Sequence, residues 1–194
     1  SKDNIPVLFH DYTLNTNMVK DENGNWIDNF DLKIMDLTYD QISNYSIESL
    51  KPGSGYSDRF KNQKSVEGAK IPKLIDLFKL ANKENYKDVF LNLEVKSNPN
   101  LKDVTPEPKE MVTTILKDIK DYNLEDRIVV TSFDWRILYE LKKQNPNVLR
   151  GFLTLQQNLG STKKNIYENS PWINKTFSLE ELFLLPNIIK SIEG

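Results

Sequence analysis

The sequence predicts an α/β fold, a parallel sheet with helices packed outside it. Three observations carry that expectation. The chain opens on an apolar run with strand-like alternation, Ile5, Val7 and Phe9 against Pro6, Leu8 and His10. From Pro72 onward, helix-periodic and strand-like segments alternate, as they do in successive βα units. Between these regions lies a long polar stretch, residues 12–71, too long for a plain βα loop and read as an inserted small subdomain.

Each element has its own signal. After Asp11 the chain turns polar, and Asn23-Gly24 marks a hairpin-type turn between Val19 and Trp26-Ile27. Thr38-Tyr39-Asp40-Gln41 is a capping box that opens a short helix through Ile42. Residues 51–70, rich in Gly, Ser, Asn and Lys, read as loop. Pro72 suits a first helical turn, and Leu74, Leu77, Phe78 and Ala81 follow at helical spacing. Residues 88–96 alternate as a strand. Thr105-Pro106 starts a helix whose apolar stripe is Val112, Ile115, Leu116 and Ile119. Residues 127–133 are strand-like and rich in β-branched side chains. Asp134 can cap a helix carrying Ile137, Leu138 and Leu141, and residues 148–155 form another strand. Ser178-Leu179-Glu180-Glu181 is a second capping box, ahead of an apolar segment that Pro186 kinks or ends.

About four strands result, either a small open sheet or an arc of a (β/α)8 barrel. Complete barrels run to about 250 residues, so an insertion this large leaves too little of a 194-residue chain for eight strands. That length still allows one domain with a real core. The formal net charge of −2, with 28% charged residues, points to neither nucleic acid nor a membrane surface. Lys61, Lys64, Lys70, Lys73 and Lys79 form a loose basic stretch that reads as solvated surface. With zero cysteines, disulfides and thiolate metal sites are excluded. No run approaches transmembrane length, and no signal peptide is recognisable.

Two foci can carry chemistry. His10, the only histidine, follows the first apolar run, and carboxyl ends of strands are where α/β folds place their sites. Asp11 beside it can orient the imidazole or cap the following turn. The second focus is Leu91-Asn92-Leu93-Glu94-Val95-Lys96. Strand alternation puts Leu91, Leu93 and Val95 on one face and Asn92, Glu94 and Lys96 on the other. An inward Glu and Lys need each other, a metal or a ligand, because unpaired buried charge is expensive. If the two strands are neighbours, His10 and Glu94 line one pocket. Ser132 and Asp134 flank Phe133 at another strand end and could line the same mouth, but a helix cap accounts for Asp134 sufficiently. Tyr12, Trp26, Tyr56 and Phe60 read as a small local core of the insertion, or else a lid or a substrate wall.

These residues together resemble a known family. Residues 2–14, Lys-Asp-Asn-Ile-Pro-Val-Leu-Phe-His-Asp-Tyr-Thr-Leu, resemble the second-strand motif of glycerophosphodiester phosphodiesterases. Asp36-Leu37-Thr38 with Ile42, Ile71-Pro72-Lys73-Leu74, Leu93-Glu94-Val95-Lys96, Val130-Thr131-Ser132-Phe133-Asp134 and Asn145-Pro146 are similar to that family's later motifs, in the same order. The resemblance implies a partial (β/α)8 TIM barrel with an insertion after the first visible strand, spanning residues 1–194. It implies hydrolysis of glycerophosphodiesters, small-molecule substrates, to glycerol 3-phosphate and an alcohol, with a divalent metal, Mg2+ or Ca2+. By the same resemblance His10 is an acid–base histidine and Glu94 a metal ligand. Lys96 faces substrate phosphate or holds Glu94, and Asp11 supports the His10 site. Export to the periplasm or cell surface is compatible with the resemblance; the sequence itself does not fix the compartment.

The chain also departs from the pattern. The family's first-strand His-Arg and its Glu-x-Asp are not in the sequence, Thr16 stands where an Arg is expected, and the closing Trp-Thr-Val-Asn motif is not found. The expectation is therefore an interior piece of such an enzyme, with weak or no catalysis alone and two unpaired strand edges. A non-catalytic, phosphodiester-binding remnant and a sphingomyelinase-type phospholipase on the same barrel remain alternatives.

Overall fold

The computed structural model describes residues 1–101, 103–158, 163–173 and 189–190. The chain packs as two compact units, Ser1–Lys79 and Leu80–Gly194. The expected capping box at 178–181 and the kink at Pro186 lie outside the described residues.

The first unit is built from turns and short helices around an aliphatic cluster of Leu14, Val19, Ile27, Ile42 and Ile71. Val7, Phe9, Met18 and Tyr45 pack against that cluster from its edge. The expected strand at residues 5–9 does not form. Its one pairing is an antiparallel bridge of Val7 with Lys73, closed by Leu8 N–H to the Pro72 carbonyl at 2.9 Å and Leu74 N–H to the Pro6 carbonyl at 2.9 Å. Pro6 has no N–H to give a ladder, so the alternation here yields one bridge instead of a strand.

The Asn23-Gly24 turn forms as expected, with Gly24 at φ +80°. Asp21 N–H bonds to the Asn25 carbonyl at 2.8 Å, and Lys20 bridges Trp26. The capping box also forms: Thr38 opens α1 (Tyr39–Ser43), with reciprocal bonds between Thr38 and Gln41. Residues 51–70 are not all loop, because Ser54 accepts a bond from Ser57 N–H and starts a short helix, α2 (Gly55–Arg59). The aromatic local core is not observed. Tyr56 and Phe60 pair with each other at 6.2 Å between ring centroids, Lys20 lies over Trp26, and aliphatic side chains fill the interior. α3 (Leu74–Ala81) buries Leu74, Phe78 and Ala81 of the expected stripe and leaves Leu77 half-buried.

The second unit is a three-stranded parallel sheet with crossover helices. Its strands are β1 (Leu91–Glu94), β2 (Ile128–Ser132) and β3 (Leu149–Phe152), in the order β1-β2-β3. The register aligns Glu94 with Thr131 and Thr131 with Gly151. α4 (Pro108–Asp121) connects β1 to β2, and α5 (Trp135–Gln144) connects β2 to β3. α4 begins later than Thr105-Pro106 suggests. A residue before proline is driven out of helical geometry, and Glu107 is extended at φ −63°, ψ 147°, which leaves Pro108 as the first helical residue. Leu93, Val95, Ile128 and Val130 bury one face of the sheet, and Val112, Ile115, Ile119, Trp135, Ile137, Leu138 and Leu141 are among the buried helix positions. β3 is shorter than the apolar run at 148–155 because the chain leaves the ladder, with Leu155 N–H bonding to Asn165 Oδ1 at 2.6 Å.

Candidate active-site residues

His10 lies in a bend just past the Val7 bridge, its side chain 71% exposed. Its Nδ1 is 2.8 Å from Asp11 Oδ1. Asp11 is held in turn, since Asn15 Nδ2 donates to its other oxygen at 2.6 Å. The tight turn that follows explains this arrangement: Asn15 also accepts from Asn17 N–H at 2.9 Å, so its side chain is fixed from both ends. With the proton on Nδ1, the carboxylate holds the imidazole in the tautomer whose Nε2 is the basic nitrogen. A histidine in that state can take a proton from water or, once charged, return it to a leaving alkoxide.

Glu94 ends β1, and the strand alternation is as the sequence predicts. Leu93 and Val95 are buried, Asn92 and Glu94 are exposed, and Lys96 is half-buried. Lys96 Nζ is 3.0 Å from Glu94 Oε1. The two charges therefore neutralise each other on the face opposite the helices, the first of the ways an inward Glu and Lys can be satisfied. On that face Thr131 Oγ1 donates to Asn92 Oδ1 at 2.9 Å. Gly151 follows Thr131 across the sheet and adds no side chain. A hard divalent cation takes six or more oxygen ligands. Glu94 has the right chemistry for one of them, and no group of three or more metal-binding side chains occurs among the described residues.

Asp134 does not line a mouth; it is the helix cap. It is fully buried, and both oxygens are committed. Oδ1 accepts from Arg136 N–H, capping α5, and Oδ2 accepts from Ser97 Oγ at 2.6 Å. The Arg136 guanidinium grips the carboxylate through Nε and Nη2 at 2.7–3.1 Å. That hydrogen bond, partly opposed by desolvation, raises the Arg136 pKa and neutralises a buried charge. Sequence reasoning missed Ser97. Its only signal is its place on the buried side of the alternation, the same side as Leu93 and Val95.

The structure thus brings together His10 with Asp11 in the first unit and Glu94 with Lys96 in the second. The described residues contain no helix long and apolar enough to cross a membrane.

Comparison with known proteins follows the same lines. The sequence profile of the Glycerophosphoryl diester phosphodiesterase family matches residues 1–179. A glycerophosphodiester phosphodiesterase of Caldanaerobacter subterraneus subsp. tengcongensis is 29% identical over 153 residues, 79% of this chain and 51% of its own length. A crystal structure of a protein from Silicibacter pomeroyi DSS-3, assigned to the glycerophosphoryl diester phosphodiesterases, matches with a TM-score of 0.78 at 28% identity. That match covers 100% of this chain and 60% of the other. The chain therefore spans about half the length of its curated relative. These likenesses are to a TIM-barrel-like α/β fold, and the parallel β1-β2-β3 sheet with its crossover helices is of that kind.

Proposed function

This chain belongs to the glycerophosphoryl diester phosphodiesterase family, and on that premise we propose that it is part of an enzyme that hydrolyses glycerophosphodiesters to glycerol 3-phosphate and an alcohol. Family members hydrolyse phosphodiesters and generally use a divalent metal. In this reading residues 12–71 are a subdomain inserted into one partial barrel domain of residues 1–194.

The observation that supports the reading best is the pairing of each candidate residue with a partner suited to its task. His10 has the carboxylate of Asp11 at 2.8 Å on Nδ1 and an exposed ring, the arrangement of a general acid–base histidine. Glu94 offers one carboxylate to a hard cation, Mg2+ or Ca2+. Such a cation, when bound, neutralises phosphodiester charge and favours attack on phosphorus. Lys96 orients Glu94 from 3.0 Å, and its ammonium adds positive charge where the phosphoryl oxygens become more negative. In the reaction water attacks phosphorus and releases a proton to solvent, the P–O bond to the alcohol breaks, and the leaving alkoxide takes a proton from His10, which solvent has protonated beforehand.

The test is hydrolysis of glycerophosphocholine by the full chain with Mg2+ or Ca2+ added. Release of glycerol 3-phosphate that stops with EDTA and falls about 100-fold or more in His10→Ala supports the reading. A folded chain that releases none with either metal is what an incomplete site predicts. Metal-dependent release that His10→Ala leaves unchanged, or none from a longer polypeptide that also carries the family's His-Arg and Glu-x-Asp, defeats the reading.

A further inference from the structure

The segment that carries Glu94 and Lys96 is fastened from its buried side at each alternate residue. Val95 N–H donates to the Thr131 carbonyl at 2.8 Å. The Val95 carbonyl accepts from Ser132 Oγ, also at 2.8 Å. Two residues on, Ser97 Oγ donates to Asp134 Oδ2 at 2.6 Å. Ser132 and Asp134 are themselves joined, because Asp134 N–H donates to Ser132 Oγ at 3.0 Å. Ser97 is 4% exposed, and Ser132 and Asp134 are 0% exposed.

A helix cap needs one carboxylate oxygen, and Oδ1 supplies it. The Arg136 guanidinium already neutralises the charge. The bond to Ser97 is not required for either purpose, and it reaches 37 positions back along the chain to the residue next to Lys96. β1 as a ladder ends at Glu94, so without these bonds Lys96 sits on the first residues past the sheet, where backbone position is least determined. With them, Val95 and Ser97 are pinned on either side of Lys96.

We propose that Ser97 and Ser132, anchored on the buried Asp134–Arg136 pair, are positioning residues that set where the Glu94 carboxylate and the Lys96 ammonium point. They touch neither substrate nor metal and act through the backbone on both sides of Lys96. This inference rests on the reading of Glu94 and Lys96 as the cation- and phosphate-facing pair. Residues that orient ligating groups from behind typically change activity by about 10–100-fold when lost.

The experiment compares Ser97→Ala and Ser132→Ala in the full chain, with Thr113→Ala on the exposed face of α4 as a control. Asp134 retains its bonds to Arg136 in Ser97→Ala, so that variant keeps its buried charge paired. Circular dichroism reports folding, and Ser132→Ala is a second probe if Ser97→Ala is unstable. Two readouts are taken. The first is kcat and KM for glycerophosphocholine. The second is the NMR signal of the Lys96 ammonium in lysine-labelled protein, assigned with Lys96→Arg. The expected result is a kcat lower by about 10–100-fold, KM little changed, and a displaced Lys96 signal, with neither effect in the control. Folded variants with wild-type kcat and an unmoved Lys96 signal overturn the proposal. A wild-type chain without turnover bears on the completeness of the active site and not on the positioning role. The Lys96 signal then decides the positioning role alone, by moving in Ser97→Ala or by staying.

Discussion

At position 151 a Cβ would lie 2.6 Å from Thr131 Cγ2. Thr131 is β-branched and cannot swing aside without a new χ1 rotamer, and its present rotamer carries the bond to Asn92 Oδ1. Gly151→Ala is therefore expected to cost about 1–3 kcal/mol by overpacking, read as a lower midpoint in urea. Thr131→Ser in the same background removes the clashing methyl and should restore most of the loss; no restoration would refute the steric account. Asp118 is a second residue whose burden is local. Its Oδ2 is buried without a hydrogen-bond partner. Desolvation raises its pKa, Lys117 opposes the shift, and Asp121 adds to it. A carboxyl whose folded pKa is raised binds its proton more tightly in the folded state. Stability is then greatest at low pH and falls as pH rises through the ordinary carboxylate value to the raised one. Asp118→Asn should raise Tm at neutral pH, for a gain in stability of roughly a few tenths of a kcal/mol because the group is partly solvated. The gain should fade in acid. An equal gain in acid and at neutral pH would mean that the charge is not responsible.

The elements differ in how legible they are. α3, α4 and α5 carry apolar stripes at helical spacing, and those residues are buried in the structure except Leu77 and Leu116, which are half-buried. β1 and β2 are read from alternation and β-branched content, and the polar face of β1 is assigned correctly down to Lys96. What pattern cannot supply is a partner. Residues 5–9 alternate as well as β1 does, yet one bridge to Lys73 is all they form. α2 is hidden because Ser54-Gly55 in a Gly- and Ser-rich stretch looks like loop, and only the cap bond from Ser57 N–H marks the helix start. Ser97 is invisible as a site residue because its importance lies in a bond to a residue 37 positions away. α1 is legible from its capping box and has one contribution the motif does not include. Asp3 accepts from Tyr39 N–H at 3.0 and 3.1 Å, at the positive end of the helix. Desolvation pushes the Asp3 pKa up, but bonds from Ser1 and from Tyr39 N–H outweigh it, and the net shift is downward. A depressed carboxyl contributes stability above its unfolded pKa and loses it as pH falls through the folded one. Amide exchange in α1 should therefore speed up in acid, beyond its intrinsic pH dependence, and lose that extra sensitivity in Asp3→Asn. Identical profiles for the two proteins would remove Asp3 from the account.

At the scale of the molecule, the chain carries its acid–base candidate in one compact unit and its carboxylate–ammonium pair in the other. Proposing one enzyme therefore requires that both units serve one transition state, and kinetics can ask this without reference to distance. General acid–base groups contribute about 10²–10⁴-fold, so His10→Ala should lower kcat/KM by an amount in that range, and Glu94→Gln, which removes a charged oxygen from the cation, should lower it as well. Both side chains are substantially exposed, and substitutions at such positions usually change stability by no more than about 0.5 kcal/mol; lost activity is then not lost fold. If the two residues act on the same phosphoryl group in one step, their effects are not independent, because a transition state deprived of one of them gains little from the other. The double variant should then lose little more than the worse single one. If the losses instead multiply, as they do for residues that act without reference to each other, His10 and Glu94 do not share a site and the single-enzyme reading of this chain fails. The same cycle with Lys96→Met in place of Glu94→Gln places the ammonium. Coupling to His10 assigns Lys96 to the substrate phosphate, whereas coupling only to Glu94 leaves it the narrower task of holding that carboxylate in place.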